Sequence, residues 1–239
     1  MEKVTQLQQQ LTINHPTTSV QKLSSTVTEL QLTDITYTYY NMEIDDSFTL
    51  GPISTTINTG EITYIIGGNG SGKTTLGKLL CGLYFPKNGQ FTLNNTPISN
   101  DTMVWYRDHF SVVFSDFYLF DHFLELKDLS QNKVQHYIDA FHLTQKVTYQ
   151  DGKFSTLKLS TGQRKRLALI IACLQDRPIY IFDEWASDQD PEFKKVFYNE
   201  ILPDLKQKNK MVIVITHDDF YFDKADRIIR LRSGKLVED

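Results

Sequence analysis

One stretch constrains this chain more than any other: EITYIIGGNGSGKTTLGKLLCGL, Glu61 to Leu83. Its first part, EITYIIG, reads as a buried strand. Its last part sets Leu76, Leu79, Leu80 and Leu83 at helical spacing on one face. Between them lies a glycine-broken loop. Glycines there let successive backbone N–H groups turn inward on an anion, and a helix starting near Gly72 adds a positive end of roughly half a charge. Strand, loop and helix in that order predict an α/β core with a parallel sheet, built around a phosphate loop running from Gly67 to Thr74.

The rest of the chain is read around that unit. At 239 residues with 40% hydrophobic content it can bury one sizeable core with a small satellite. A formal net charge of −4 argues against a nucleic-acid surface or a polybasic membrane patch, so anion binding has to be local. Cys81 and Cys173 sit in apolar helical runs and read as buried thiols of a reducing compartment. No apolar run reaches the ~20 residues that cross a bilayer, so the chain as given reads as soluble.

Residues 1–28 read as a short helix, with an apolar stripe at Val4, Leu7 and Leu11, and then a linker; residues 29–239 read as one domain. ELQLTDITYTYY and SFTLGPISTTI alternate like antiparallel strands. From about 116 to 166 the pattern predicts an inserted, mostly helical subdomain, with VQHYIDAFHL its clearest helix. Leu167, Ile170, Ile171 and Leu174 then form a helix face. PIYIFD and MVIVIT read as buried parallel strands separated by a helix carrying Phe193, Val196, Phe197 and Ile201. RIIRLRSGKLVED closes the chain as a hairpin turning at Ser233 and Gly234.

Chemistry concentrates at the strand ends. In the phosphate-loop pattern Gly67, Asn69, Gly70, Ser71, Gly72 and Thr75 line the phosphates, Lys73 reaches the β- and γ-phosphates, and the Thr74 hydroxyl meets Mg²⁺. IYIFDEW ends a strand in two carboxylates: Asp183 as metal partner, Glu184 as the base that polarises a water. The alternative is that both are helix caps. VIVITHDD ends another strand in His217, within reach of a γ-phosphate or simply a polar strand end. A second glycine-broken turn, LSTGQRKR from Leu159 to Arg166, precedes an apolar helix. One phosphate chain does not need two receptors.

The phosphate loop, LSTGQ, IYIFDE, ASDQD and ITH occur in the order and approximate spacing of the ATP-binding cassette of ABC transporters, and the chain resembles that family from Glu29 to Asp239. The resemblance implies an ATPase using ATP and Mg²⁺, with an antiparallel β subdomain and a helical subdomain beside the phosphate-loop core. It implies that Tyr39 stacks on adenine, the alternative being an outward strand aromatic. Ser160, Thr161, Gly162 and Gln163 would close over the γ-phosphate held by a second copy, in a nucleotide-dependent head-to-tail homodimer, and Asp190 would link the two sites. LSTGQ departs from the usual LSGGQ at Thr161. Ser115 stands where most cassettes carry a Gln that contacts the metal.

FSDFYLF, LSTGQRKRLAL and IFDEWASDQDPEFK are similar to the cyclic-peptide and siderophore-peptide exporters. That branch implies work at the cytoplasmic face of the inner membrane, with a transmembrane domain upstream in the same polypeptide or in a separate subunit. Met1 would lie in or just after the last spanning helix. Phe117, Tyr118 and Phe120 would border the cleft that docks a coupling helix, the alternative being that they are core. The rival function is a soluble cassette ATPase acting as a clamp on DNA or in cluster assembly; a basic stripe or long coiled coil would favour it, and neither is present.

Overall fold

A computed structural model describes residues 26–41, 46–119 and 130–237. The stripe at Val4, Leu7 and Leu11, and Phe120, lie outside them. The long strands β1 (Glu29–Asn41) and β2 (Asp46–Asn58) pair antiparallel, Tyr39 opposite Phe48, as their alternation predicts. With β4 (Asn88–Leu93) and β5 (Thr96–Pro97) they form an antiparallel sheet of order β2-β1-β4-β5.

The second sheet has six strands. Its members are β3 (Ile62–Gly67), β6 (Phe110–Val113), β9 (Ile179–Asp183), β10 (Met211–Ile215), β11 (Arg227–Arg232) and β12 (Lys235–Val237), in the order β12-β11-β3-β10-β9-β6. All neighbours are parallel except the terminal β11–β12 hairpin. That hairpin turns at Ser233 and Gly234, both at positive φ, as read from the sequence.

Strand alternation divides the core in two. Tyr64, Ile66, Tyr180, Phe182, Val212 and Val214 face one side, where they meet helices α3 (Gln131–Ala140), α4 (Thr161–Gln175) and α5 (Pro191–Val196). Ile65, Ile179, Ile181, Ile213 and Ile215 face the other, against α1 (Lys73–Leu80), α2 (Met103–Arg107) and the antiparallel sheet. Covered on both faces, these strands are mostly apolar, with Thr63 in β3 and Asp183 at the end of β9 the buried polar exceptions. Beyond α5 the helical path continues through a π-turn at Phe197–Ile201 into α6 (Leu202–Gln207).

Three expectations change. Leu83 is not on the α1 face: Gly82 N–H bonds to Leu79 O and Leu83 N–H to Lys78 O, which closes the helix at Leu80 and leaves Leu83 exposed. The helix α4 is buried all round from Leu167 to Leu174, not along one stripe. The 116–166 region is less helical than its pattern suggests. Among its described residues it holds α3, the start of α4 and a small hairpin, β7 (Tyr149–Gln150) with β8 (Lys153–Phe154). Asp151 and Gly152, both at positive φ, supply the Asp-Gly turn.

Candidate functional site

Register places the chemistry. Ile215 pairs with both Asp183 and Ile65, so β3, β9 and β10 end side by side at the carboxyl edge of the sheet. The phosphate loop leaves β3 there, Glu184 follows β9, and His217 follows β10 by two residues. The loop cannot carry side chains at its entrance: a Cβ on Gly67 would stand 2.2 Å from the Leu231 carbonyl oxygen. Gly67 and Gly72 both take positive φ, and α1 starts directly at Lys73.

Lys73 is 6% exposed. Its ammonium donates to Gly67 O at 2.9 Å and Gly68 O at 3.2 Å, and lies 4.0 Å from Glu184 Oε1. Burial lowers its pKa, opposed by the charges of Glu184 and Asp183. His217 Nε2 lies 2.6 Å from the same Glu184 Oε1.

Asp183 is fully buried. Its Oδ1 accepts from the Thr74 hydroxyl at 3.3 Å, while Oδ2 is buried with no hydrogen-bond partner among the described residues. Burial raises its pKa, against the lowering by Thr74. The Ser71 hydroxyl is likewise buried and unpartnered. Neither Asp183 nor Glu184 caps a helix through its side chain, so the capping alternative does not hold; Glu184 instead sits in the left-handed region at φ 49°.

An open cavity of about 200 Å³ brings Lys73, Thr74 and Glu184 together; Gly67, Asp183 and His217 are not in its lining. Asn69 through Thr75 and Glu184 form one wall; Tyr39, 45% exposed, and Phe48, their rings 5.6 Å apart, form the other. Phe48 was not singled out from the sequence, although its place opposite Tyr39 follows from pairing the two alternating strands.

Other predicted residues lie apart from this cavity. Ser160 caps α4: it accepts from Gln163 N–H at 3.3 Å, while the Gln163 side chain accepts from Ser160 N–H at 3.1 Å. Neither they nor Thr161 and Gly162 line the cavity. Asp190 caps α5 through Phe193 N–H at 2.9 Å and pairs with Arg166. Ser115 is exposed just beyond β6 and outside the cavity lining; the charge of its neighbour Asp116 adds to burial and the Glu184 charge in raising the Asp183 pKa. Of the docking aromatics, Phe117 packs partly buried against the helical-side core, and Tyr118 is exposed.

The sequence reading also passed over Lys165 and Gln189. Both are buried polar residues that tie α4 to the turn after β9. A lysine inside an otherwise apolar helix is the signal that could have found the first.

Residues 50–187 match the ABC transporter family model. The chain is 49% identical over 214 residues to the ATP-binding protein SyrD of Pseudomonas syringae pv. syringae, an alignment covering 88% of this chain but only 38% of that protein. The chain therefore spans well under half of that relative's length. A bacterial Atm1-family ABC exporter with ATP bound superposes with a TM-score of 0.75 at 21% identity, over 90% of this chain and 39% of the other. A dimeric bacterial ABC transporter cassette superposes at 0.73 and 22% identity, over 87% and 97% of the two chains. Among the described residues no helix is long and apolar enough to cross a membrane. With its phosphate loop, signature turn and paired carboxylates in one fold, the chain belongs to the ABC transporter family.

Proposed function

We propose that the chain hydrolyses ATP at the carboxyl edge of its parallel sheet and that this hydrolysis drives export through a transmembrane part outside the given sequence. The observation carrying the reading is the approach of Lys73 and His217 to one oxygen of Glu184 beside the phosphate loop.

The loop amides and Lys73 hold the phosphates, with Tyr39 and Phe48 as an aromatic wall for the base; base stacking on aromatics is worth about 1–3 kcal/mol. Glu184 takes the proton of the attacking water. His217 holds the Glu184 carboxylate in place. The donor set fits a divalent cation, because Thr74 offers a hydroxyl and Asp183 a buried carboxylate oxygen with no hydrogen-bond partner among the described residues. Mg²⁺ held there would supply charge neutralisation at the phosphate oxygens. Ser115, exposed just beyond the end of β6, would be a further ligand, directly or through a water.

The signature turn lies outside the cavity, which supports its serving the nucleotide of a second copy, with Asp190 between the two sites. A head-to-tail homodimer with two shared sites follows. The exported substrate is a cyclic peptide or peptide siderophore, on the wording of the motifs around Ser115, Ser160 and Asp183. The membrane part lies upstream in the same polypeptide or in a separate subunit, and the cassette works at the cytoplasmic face.

Co-expression with the adjoining membrane protein tests the reading. Co-purification, and loss of peptide efflux in the Glu184→Gln variant, are the expected results. Hydrolysis without co-purification and with efflux unchanged would sink export while leaving the ATPase intact.

A further inference from the structure

Lys165 is 2% exposed on α4, five residues past the signature cap Ser160. Its ammonium has three N–H groups and meets three acceptors in the turn after β9: Glu184 O at 2.8 Å, Ser187 Oγ at 3.1 Å and Asp188 Oδ2 at 2.7 Å. Asp188 alone does not account for this burial. Its carboxylate is 47% exposed, and a half-solvated ion pair returns too little to offset the desolvation of a buried ammonium. The remaining two bonds go to the turn that begins at Glu184.

That turn is strained where it matters. Glu184 is a non-glycine residue at φ 49°, a conformation unfavourable for an L side chain unless its surroundings hold it. Two sets of bonds hold it. Its N–H donates to Ile215 O at 2.9 Å, and its carbonyl accepts from Lys165 and, at 2.7 Å, from Ser187. The direction of the Glu184 side chain toward His217 follows from that backbone.

We propose that Lys165 is a positioning residue for Glu184: a buried cationic strut that fixes the backbone of the base from the helix carrying the signature turn. It rests on the assignment of Glu184 as base given above. Any movement of the α4 start relative to β9 is thereby conveyed to the carboxylate. The Trp185 indole reinforces the link by donating to Lys165 O at 2.8 Å, so the two segments are bonded in both directions.

The test compares kcat and KM for ATP in Lys165→Met, Glu184→Gln and the double variant of the whole chain. Lys165→Met should lower kcat about tenfold or more with KM within about twofold, since binding groups are untouched. The double variant should lose no more than Glu184→Gln alone, because both act through one group. Unchanged kcat in Lys165→Met beside an inactive Glu184→Gln overturns the inference and leaves the base assignment standing; so do additive losses, or a raised KM with kcat retained. Full activity in Glu184→Gln overturns the base assignment and this inference with it. If Lys165→Met is insoluble, Lys165→Gln, whose uncharged amide keeps two N–H donors at a reach one bond shorter, is read by the same criteria with a smaller expected loss of kcat.

Discussion

His217 Nε2 and Glu184 Oε1 lie 2.6 Å apart, a contact between the ends of two neighbouring parallel strands. The pair should behave as one unit. Glu184→Gln is expected to lower ATP turnover by about 10²–10⁴ with nucleotide affinity nearly kept, and His217→Ala to lower it less. Combining them should add little to the loss from Glu184→Gln alone. Two full, additive losses would mean that His217 acts elsewhere, on the phosphate itself.

Burial of the thiols sets an alkaline limit on stability. Desolvation pushes Cys81 up to about 11 and Cys173 up to about 12, from an ordinary value of 9.0. A folded pKa above the unfolded one means the folded state holds its proton longer. Their contribution is therefore fully present below pH 9 and is lost as pH rises through about 11 and 12. The thermal midpoint should fall over that window, and the fall should be shallower in a Cys81→Ala, Cys173→Ala double variant. At pH 8, iodoacetamide should label neither thiol in the folded chain and both in denaturant, read by mass spectrometry. Rapid native labelling would contradict the buried placement.

The sequence made the site legible wherever a short local pattern carries the chemistry. The phosphate loop, the carboxylates after β9 and the histidine after β10 are each fixed by a strand end, and parallel register alone brings them together. What stayed hidden depends on contacts between distant segments. Nothing local says that Lys165 directs its charge to the Glu184 turn, 19 residues away, or that the charge of Asp116 acts on Asp183. The β7–β8 hairpin was missed for another reason: two-residue strands are too short to show alternation, and only the Asp-Gly turn marks them.

Gly162 should not tolerate a side chain. A Cβ there would stand 2.7 Å from the Asp188 carbonyl oxygen, and its own carbonyl accepts from Gln189 at 3.0 Å. Gly162→Ala therefore has to separate the signature turn from the segment after β9. Hydrolysis should fall while nucleotide binding, made by the distant phosphate loop, holds within about twofold. Full activity in Gly162→Ala would show that the two segments can part without consequence.

The last prediction asks whose nucleotide the signature turn serves. Lys73→Ala and Ser160→Ala are each expected to be nearly inactive, the first through loss of a phosphate ligand and the second through loss of the turn that caps α4. If each site joins the loop of one copy to the signature of another, mixing the two proteins makes a hybrid dimer in which both lesions fall in one site. The second site is then whole: Lys73 from the Ser160→Ala copy faces Ser160 from the Lys73→Ala copy. An equal mixture should recover roughly a quarter of the wild-type sites, given random pairing of copies in a two-fold dimer. If the turn instead closed over the loop of its own chain, every copy would carry one lesion in its own site and mixing would restore nothing. Light scattering on Glu184→Gln with ATP, expected to show a dimer where the nucleotide-free chain is a monomer, separates failure to associate from failure to complement.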